Sequence, residues 1–163
     1  MTRMPAPPPL PNTGQYHAVP PPPPSGNVAR DFGLLLIRLM VATVFVFAGS
    51  QKLFKAFDGF GMEAFMDALA GMRLPIDREL IPAAAWTAAI SEFACGILVA
   101  IGLFTRVFAI PLVCTMAVAV IYAGGGHFVT MQYPLVMGVI SLALVFTGPG
   151  RISLDGAIFR GRG

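Results

Sequence analysis

Two charged side chains, Arg38 and Glu92, stand well inside stretches that are otherwise apolar. A charge at the centre of a membrane helix costs about 2.5–3.5 kcal/mol on insertion scales, so two of them in one short chain need a reason. Three arrangements would supply one. The charges can form a structural ion pair that fixes helix register. They can mark a proton or substrate site at mid-membrane. Alternatively, Glu92 can sit alone and protonated, bonded to Ser91 or to a backbone carbonyl. Counted along their runs from the same end, Arg38 lies about six residues deep and Glu92 about twelve, roughly 9 and 18 Å at 1.5 Å per residue. Arg38 can snorkel toward that end and Glu92 cannot. The offset is large for direct contact, though a long Arg side chain and helix tilt can bridge it.

Other polar groups gather at the opposite end. Gln51 and Lys52 follow Gly49 where the first apolar run finishes. They are either interfacial anchors or, with Tyr122, His127 and Tyr133, the polar rim of an outward-facing pocket. Cys95 and Cys114 are equally far from the turn near Phe104 and Thr105. Antiparallel neighbouring helices would put them at one depth, as possible facing thiols or as two small buried hydrophobes. There is no Cys-x-x-Cys and no Cys/His set with zinc spacing, and His17 and His127 are far apart. This argues against a metal site. No flavin, haem or iron–sulfur motif occurs, and the Gly124-Gly125-Gly126 run lacks the Gly-Lys-Ser/Thr of a phosphate loop.

These residues must be held by apolar elements. Of 163 residues, 56% are hydrophobic and 12% charged, against about 25% charged in a soluble domain. Mean hydropathy is +0.74. The composition excludes a water-soluble globule, a coiled coil and a disordered acidic tail. Four apolar runs cover residues 32–54, 80–104, 107–123 and 128–147. Each approaches the roughly 17–25 residues that cross a bilayer, and in lipid the backbone must satisfy its own hydrogen bonds, so all four are helices. Prolines 75, 82, 134 and 149 fall at run edges, while Pro111 lies a few residues into the third run and suggests a kink or a late start. Residues 46–48 offer a passable signal-peptidase site, but the run is too long and too interrupted by Arg38 for a signal peptide. In the first loop, Met62, Phe65, Met66, Leu69 and Met72 recur at helical spacing, with Glu63 and Asp67 on the other face. This predicts an amphipathic helix that lies along the interface or packs over the bundle. The expected fold is therefore all-α: an integral-membrane bundle of four transmembrane helices with a short amphipathic helix in the first outer loop.

Residues 1–31 hold ten of the fifteen prolines and are expected to be an extended or disordered tail. A short basic tail, residues 159–163, closes the chain. Four spans put both termini on one side, together with Arg3, Arg30, Arg106, Arg151, Arg160 and Arg162. The other side carries Lys52, Lys55, Arg73 and Arg78. The balance favours cytoplasmic termini. A net charge of +3 with no basic aromatic cluster gives no support for nucleic-acid binding.

Three separated motifs carry a family resemblance. Leu36-Ile37-Arg38-Leu39 followed by Phe47-Ala48-Gly49-Ser50-Gln51-Lys52-Leu53-Phe54 is similar to the first helix of DoxX family membrane proteins. Glu92-Phe93-Ala94-Cys95-Gly96-Ile97-Leu98 with Gly102-Leu103-Phe104-Thr105-Arg106 resembles that family's glutamate, glycine and Gly-Leu-x-Thr-Arg pattern. Gly148-Pro149-Gly150-Arg151-Ile152-Ser153-Leu154-Asp155 resembles its close. The resemblance spans residues 32–158. Ala48 stands where many members have histidine, so any role of that histidine is absent here. The resemblance implies a multi-pass protein of the bacterial inner membrane. It also implies a redox link, in quinone- or thiol-linked electron transfer. The expectation that follows is a redox-linked subunit binding a quinone or other lipophilic molecule, with Arg38 and Glu92 setting site polarity, Lys52 at the rim and a redox protein as partner. Two alternatives compete with it. One is a non-catalytic scaffold whose proline-rich tail recruits a cytoplasmic partner. The other, disfavoured by the small number of buried charges, is a small transporter.

Overall fold

The computed structural model describes residues 28–72, 74–123 and 127–160. The bulk of the proline-rich tail, Arg73, the triple-glycine turn and the last three residues lie outside the described residues. The described chain is α1 (Val28–Phe54), α2 (Gly61–Gly71), α3 (Ile81–Ile101), α4 (Thr105–Val118), α5 (Phe128–Thr147) and the short α6 (Leu154–Arg160). No strand occurs among the described residues. A 3-10 turn, Arg78–Leu80, leads into α3, and a π-helical turn, Ala119–Ala123, follows α4. Four stretches are long and apolar enough to cross a membrane: α1, α3 with its leading 3-10 turn (Arg78–Ile101), α4 with most of its π-helical turn (Thr105–Tyr122), and α5. The fourth matches its apolar run residue for residue.

The boundaries follow from local chemistry. α3 stops at Ile101, short of the apolar run's end, because Gly102 takes the left-handed conformation at φ 74° and its N–H turns back to the last carbonyls. Phe104 is also left-handed, and α4 starts at Thr105. Pro134, expected at a run edge, lies inside α5, and Pro111 lies inside α4 rather than at a late start. Its ring removes one rung of the helical hydrogen-bond ladder.

The outer surface is apolar: Ile121, Val129 and Phe146 are each mostly exposed. That surface would be costly in water and is ordinary against lipid tails. Inside, Val41, Phe45, Cys95, Val99, Ala109, Leu112, Met137 and Leu144 form one core shared by the four long helices. A second core joins α2 to the first half of α3 through Met62, Leu69, Ile81, Ala85 and Ala89. Phe65, Met66 and Met72 pack against it, while Glu63 and Asp67 face outward. The amphipathic helix thus forms with the face its spacing predicted.

Small residues set how closely α1 and α3 approach. A Cβ added at Gly49 would lie 2.8 Å from the Phe93 backbone nitrogen, and one at Gly96 would lie 2.9 Å from Val46. These contacts fix an antiparallel register in which Phe93 is level with Gly49. The first half of α3 therefore projects past the end of α1, where α2 covers it.

Candidate functional site

Arg38 shares the buried face of α1 with Val41, Ala42, Phe45 and Gly49 and is only 1% exposed. Its guanidinium donates four hydrogen bonds, all to backbone carbonyls. Nε reaches Val99 at 3.1 Å, Nη2 reaches Ala100 at 2.7 Å, and Nη1 reaches both Pro149 at 2.6 Å and Ile152 at 2.7 Å. Val99 and Ala100 belong to the last turn of α3, whose carbonyls have no partner within the helix. A cation there also meets the negative end of the helix dipole. Gly102 is doubly constrained, because a Cβ on it would strike Arg38 Nη2 at 2.7 Å as well as carry the positive φ.

The residues after α5 complete this end of the bundle. Asp31, buried at 3% exposure, accepts from the Arg151 N–H at 3.1 Å. Asp155 accepts from the Phe104 N–H at 2.8 Å, and the Ser153 hydroxyl accepts from the Gly156 N–H at 3.0 Å. The motif at residues 148–155 is thus a strap held down by Arg38, Asp31 and the α3–α4 turn. The Arg38–Glu92 ion pair weighed from the sequence does not form. Arg38 is occupied by carbonyls at one end of the bundle, and Glu92 lies toward the other.

Glu92 pairs with Lys52 instead. The register explains why. Lys52 lies one turn beyond Gly49, and side chains lean toward the N-terminus of their own helix. In antiparallel neighbours, Lys52 and Glu92 therefore lean toward each other. Glu92 is buried and Lys52 nearly so, with side chains 4% and 11% exposed. The Lys52 ammonium also sits 4.4 Å from the centroid of the Phe65 ring on α2, a cation–π contact. Phe65 is brought there by a tight connection in which Lys55, Phe57 and Asp58 all hold left-handed backbone angles. Such angles cost about 1–2 kcal/mol per non-glycine residue. Phe57 returns part of this by stacking on Phe47, ring centroids 5.1 Å apart.

The pair forms the polar patch of a cavity of about 890 Å³, within the roughly 300–1,000 Å³ of small-molecule sites. α2 supplies Phe65 and Leu69, Met72 follows directly after it, and α3 supplies Ala84, Thr87, Ala88, Ser91 and Glu92. α4 supplies Pro111, Cys114 and Thr115, and the π-helical turn adds Tyr122. Alanines on α3 leave the space. Thr87, Cys114 and Val118 are both wall residues and exposed, so the cavity opens on the outer face of the bundle within the spans.

Of the residues expected at an outer rim, Lys52 and Tyr122 line this cavity. Gln51, His127 and Tyr133 are not on its wall. Gln51 packs its backbone against Gly59, and His127 and Tyr133 are exposed. The two cysteines are both free and have different surroundings: Cys95 is in the core and Cys114 is on the cavity wall. Leu112 faces the core, and two further residues rotate Cys114 by roughly 200° away from it. Thr87 and Thr115 had no sequence signal beyond being hydroxyls in apolar runs; Ser91, weighed as a partner of Glu92, donates to the Ala88 carbonyl instead. Among the described residues, no group of three His, Cys, Asp or Glu could hold a metal ion.

Comparison with known proteins agrees with the architecture. The family model described as DoxX matches residues 33–125. The "Uncharacterized membrane protein Rv3486" of Mycobacterium tuberculosis is 32% identical over 142 residues, covering 75% of this chain and 78% of the relative. No solved structure matches the chain.

Proposed function

The chain belongs to the DoxX family of membrane proteins, and from that premise we propose that it is a redox-linked membrane subunit that binds a quinone or another lipophilic small molecule beside Lys52 and Glu92. One observation carries this reading: a buried Lys–Glu pair forms the polar patch of a cavity that is otherwise apolar and open within the spans. A buried ion pair is a poor way to stabilise a fold, since apolar residues of similar volume serve as well or better. Here its polar atoms border a space large enough for a ring and the start of an isoprenoid tail. The Lys52 ammonium donates a hydrogen bond to a ligand oxygen, and the Glu92 carboxylate beside it accepts a proton from the ligand. The apolar walls exclude water and accept the rest of the molecule.

Arg38, assigned to the strap, does not take part. The sequence has no flavin, haem or iron–sulfur motif, so this reading assigns electron supply to a separate redox protein. It places the chain in the bacterial inner membrane with both termini in the cytoplasm, on the Lys and Arg distribution. Purification of the full chain in mild detergent, with mass spectrometry of co-purifying proteins and extracted lipophilic molecules, tests the reading. We expect a stoichiometric lipophilic molecule that is lost on Lys52→Met. A protein that carries none, and that fails to bind an added decyl-chain benzoquinone, overturns it.

A further inference from the structure

The hydrogen-bonding inventory of the cavity is lopsided. Three of its wall hydroxyls have already used their single proton. Thr87 donates to the Ala83 carbonyl at 2.8 Å, Ser91 to Ala88 at 2.9 Å and Thr115 to Leu112 at 3.0 Å. A carbonyl can only accept, so each hydroxyl is fixed as the donor and presents only lone pairs to a ligand. Glu92 adds another acceptor. Its Oε2 is taken by Lys52, and among the described residues Oε1 has no hydrogen-bond partner, although the residue is 3% exposed and lines the cavity. Against these four acceptors stands one fixed donor group, the Lys52 ammonium, whose N–H bonds not used on Glu92 all start from a single nitrogen. The Tyr122 hydroxyl, also on the wall, can act either way.

From this imbalance we infer that the cavity selects a lipophilic molecule with a hydroxyl-bearing head, and that of a quinone couple it binds the reduced, quinol form more tightly. The inference rests on the reading proposed above and concerns binding alone. The two oxygens of a quinone are acceptors only. One of them can meet Lys52, but the other faces lone pairs. Each quinol hydroxyl both donates and accepts, so one head can accept from Lys52 and donate to Glu92 Oε1 or to a wall hydroxyl. Leaving a buried acceptor unmatched forfeits a hydrogen bond that is strengthened by charge when the acceptor is a carboxylate.

Binding to the purified full chain in lipid nanodiscs, measured anaerobically by calorimetry, tests this. Three probes are compared: a decyl-chain benzoquinone, its two-electron-reduced quinol, and the O,O-dimethyl ether of that quinol, which keeps a similar shape and loses both donors. We expect the quinol to bind about tenfold more tightly than either of the others, the equivalent of one to two hydrogen bonds. In Glu92→Gln, whose amide can both donate and accept, the preference should fall to about threefold or less. Equal affinity for quinol and quinone, tighter quinone binding, or an ether that binds as well as the quinol overturns the inference and leaves the ligand-binding reading standing. Binding of none of the three overturns both. The probe comparison needs no variant, so it decides the matter even if Glu92→Gln fails to fold.

Discussion

Gly49 on α1 and Phe93 on α3 touch so closely that no side-chain carbon fits between them; a Cβ on Gly49 would lie 2.8 Å from the Phe93 nitrogen. That contact sets the level at which Lys52, three residues on, meets Glu92, the neighbour of Phe93. Gly49→Val is therefore expected to cost about 1–3 kcal/mol through overpacking and to weaken ligand binding as the pair is drawn apart. Gly33 has open space around its Cα, so Gly33→Ala should be neutral or slightly stabilising, within about 1 kcal/mol. Thermal unfolding in detergent separates the two. Equal effects would show that the α1–α3 contact does not set the register.

Arg38 satisfies four carbonyls from two separate parts of the chain. Arg38→Leu should cost more than about 3 kcal/mol, because several buried acceptors lose their donor together. Arg38→Lys should recover only part of that, since an ammonium lacks the planar fork that spans these acceptors. Limited proteolysis should cut after α5 in Arg38→Leu and spare the parent protein. A strap that stays resistant in that variant would assign its anchoring to Asp31 and Asp155 instead.

Lys52 and Glu92 should be strongly non-additive. Lys52→Met leaves a buried carboxylate without its cation and is expected to cost about 3–5 kcal/mol. Lys52→Met combined with Glu92→Leu removes both charges and should restore most of the stability. The double variant should still fail to bind ligand. Full binding in that variant would remove the pair from the site.

Cys114 is exposed on the cavity wall, whereas Cys95 is buried among Val41, Phe45 and Leu112. A membrane-permeant maleimide should label Cys114 and leave Cys95 unmodified until the protein unfolds. Bound ligand should slow the labelling. Mass spectrometry of the intact chain reads both outcomes, and ligand-independent labelling of Cys114 would place the ligand elsewhere.

Alkaline phosphatase fused after α6 should be inactive, and green fluorescent protein at the same point fluorescent, if the arginines near that end face the cytoplasm. The reverse pattern would invert the proposed orientation.

Hydropathy revealed all four spans, and a helical spacing of five apolar residues revealed α2, because both signals come from the solvent each face meets. The partners of the buried charges were not legible. Counting depth from one side of the bundle assumes that the start of α1 and the end of α3 lie in the same plane. α3 instead projects past α1 under α2, which puts Glu92 level with the last turns of α1 and within reach of Lys52. Arg38 found carbonyls rather than a carboxylate, and backbone acceptors leave no trace in residue types. The motif at residues 148–155 was visible as a pattern, but its work as a strap appeared only once Pro149 and Ile152 were seen on Arg38. The cavity was hidden for a related reason: small residues in a membrane helix read as close packing, and nothing in the residue types shows that Ala84 and Ala88 leave space instead.

Every acceptor on Arg38 is made long after Arg38 itself. Val99 and Ala100 follow it by 61 and 62 residues, and Pro149 and Ile152 by 111 and 114. During synthesis the first helix therefore enters the bilayer with a bare guanidinium, which stays only partly matched until the final spanning helix has left the ribosome. The bundle cannot lock from its beginning. A cation buried near the beginning of the chain is satisfied only near its end, so a chain truncated before residue 149 keeps a partly unpaired cation in the membrane.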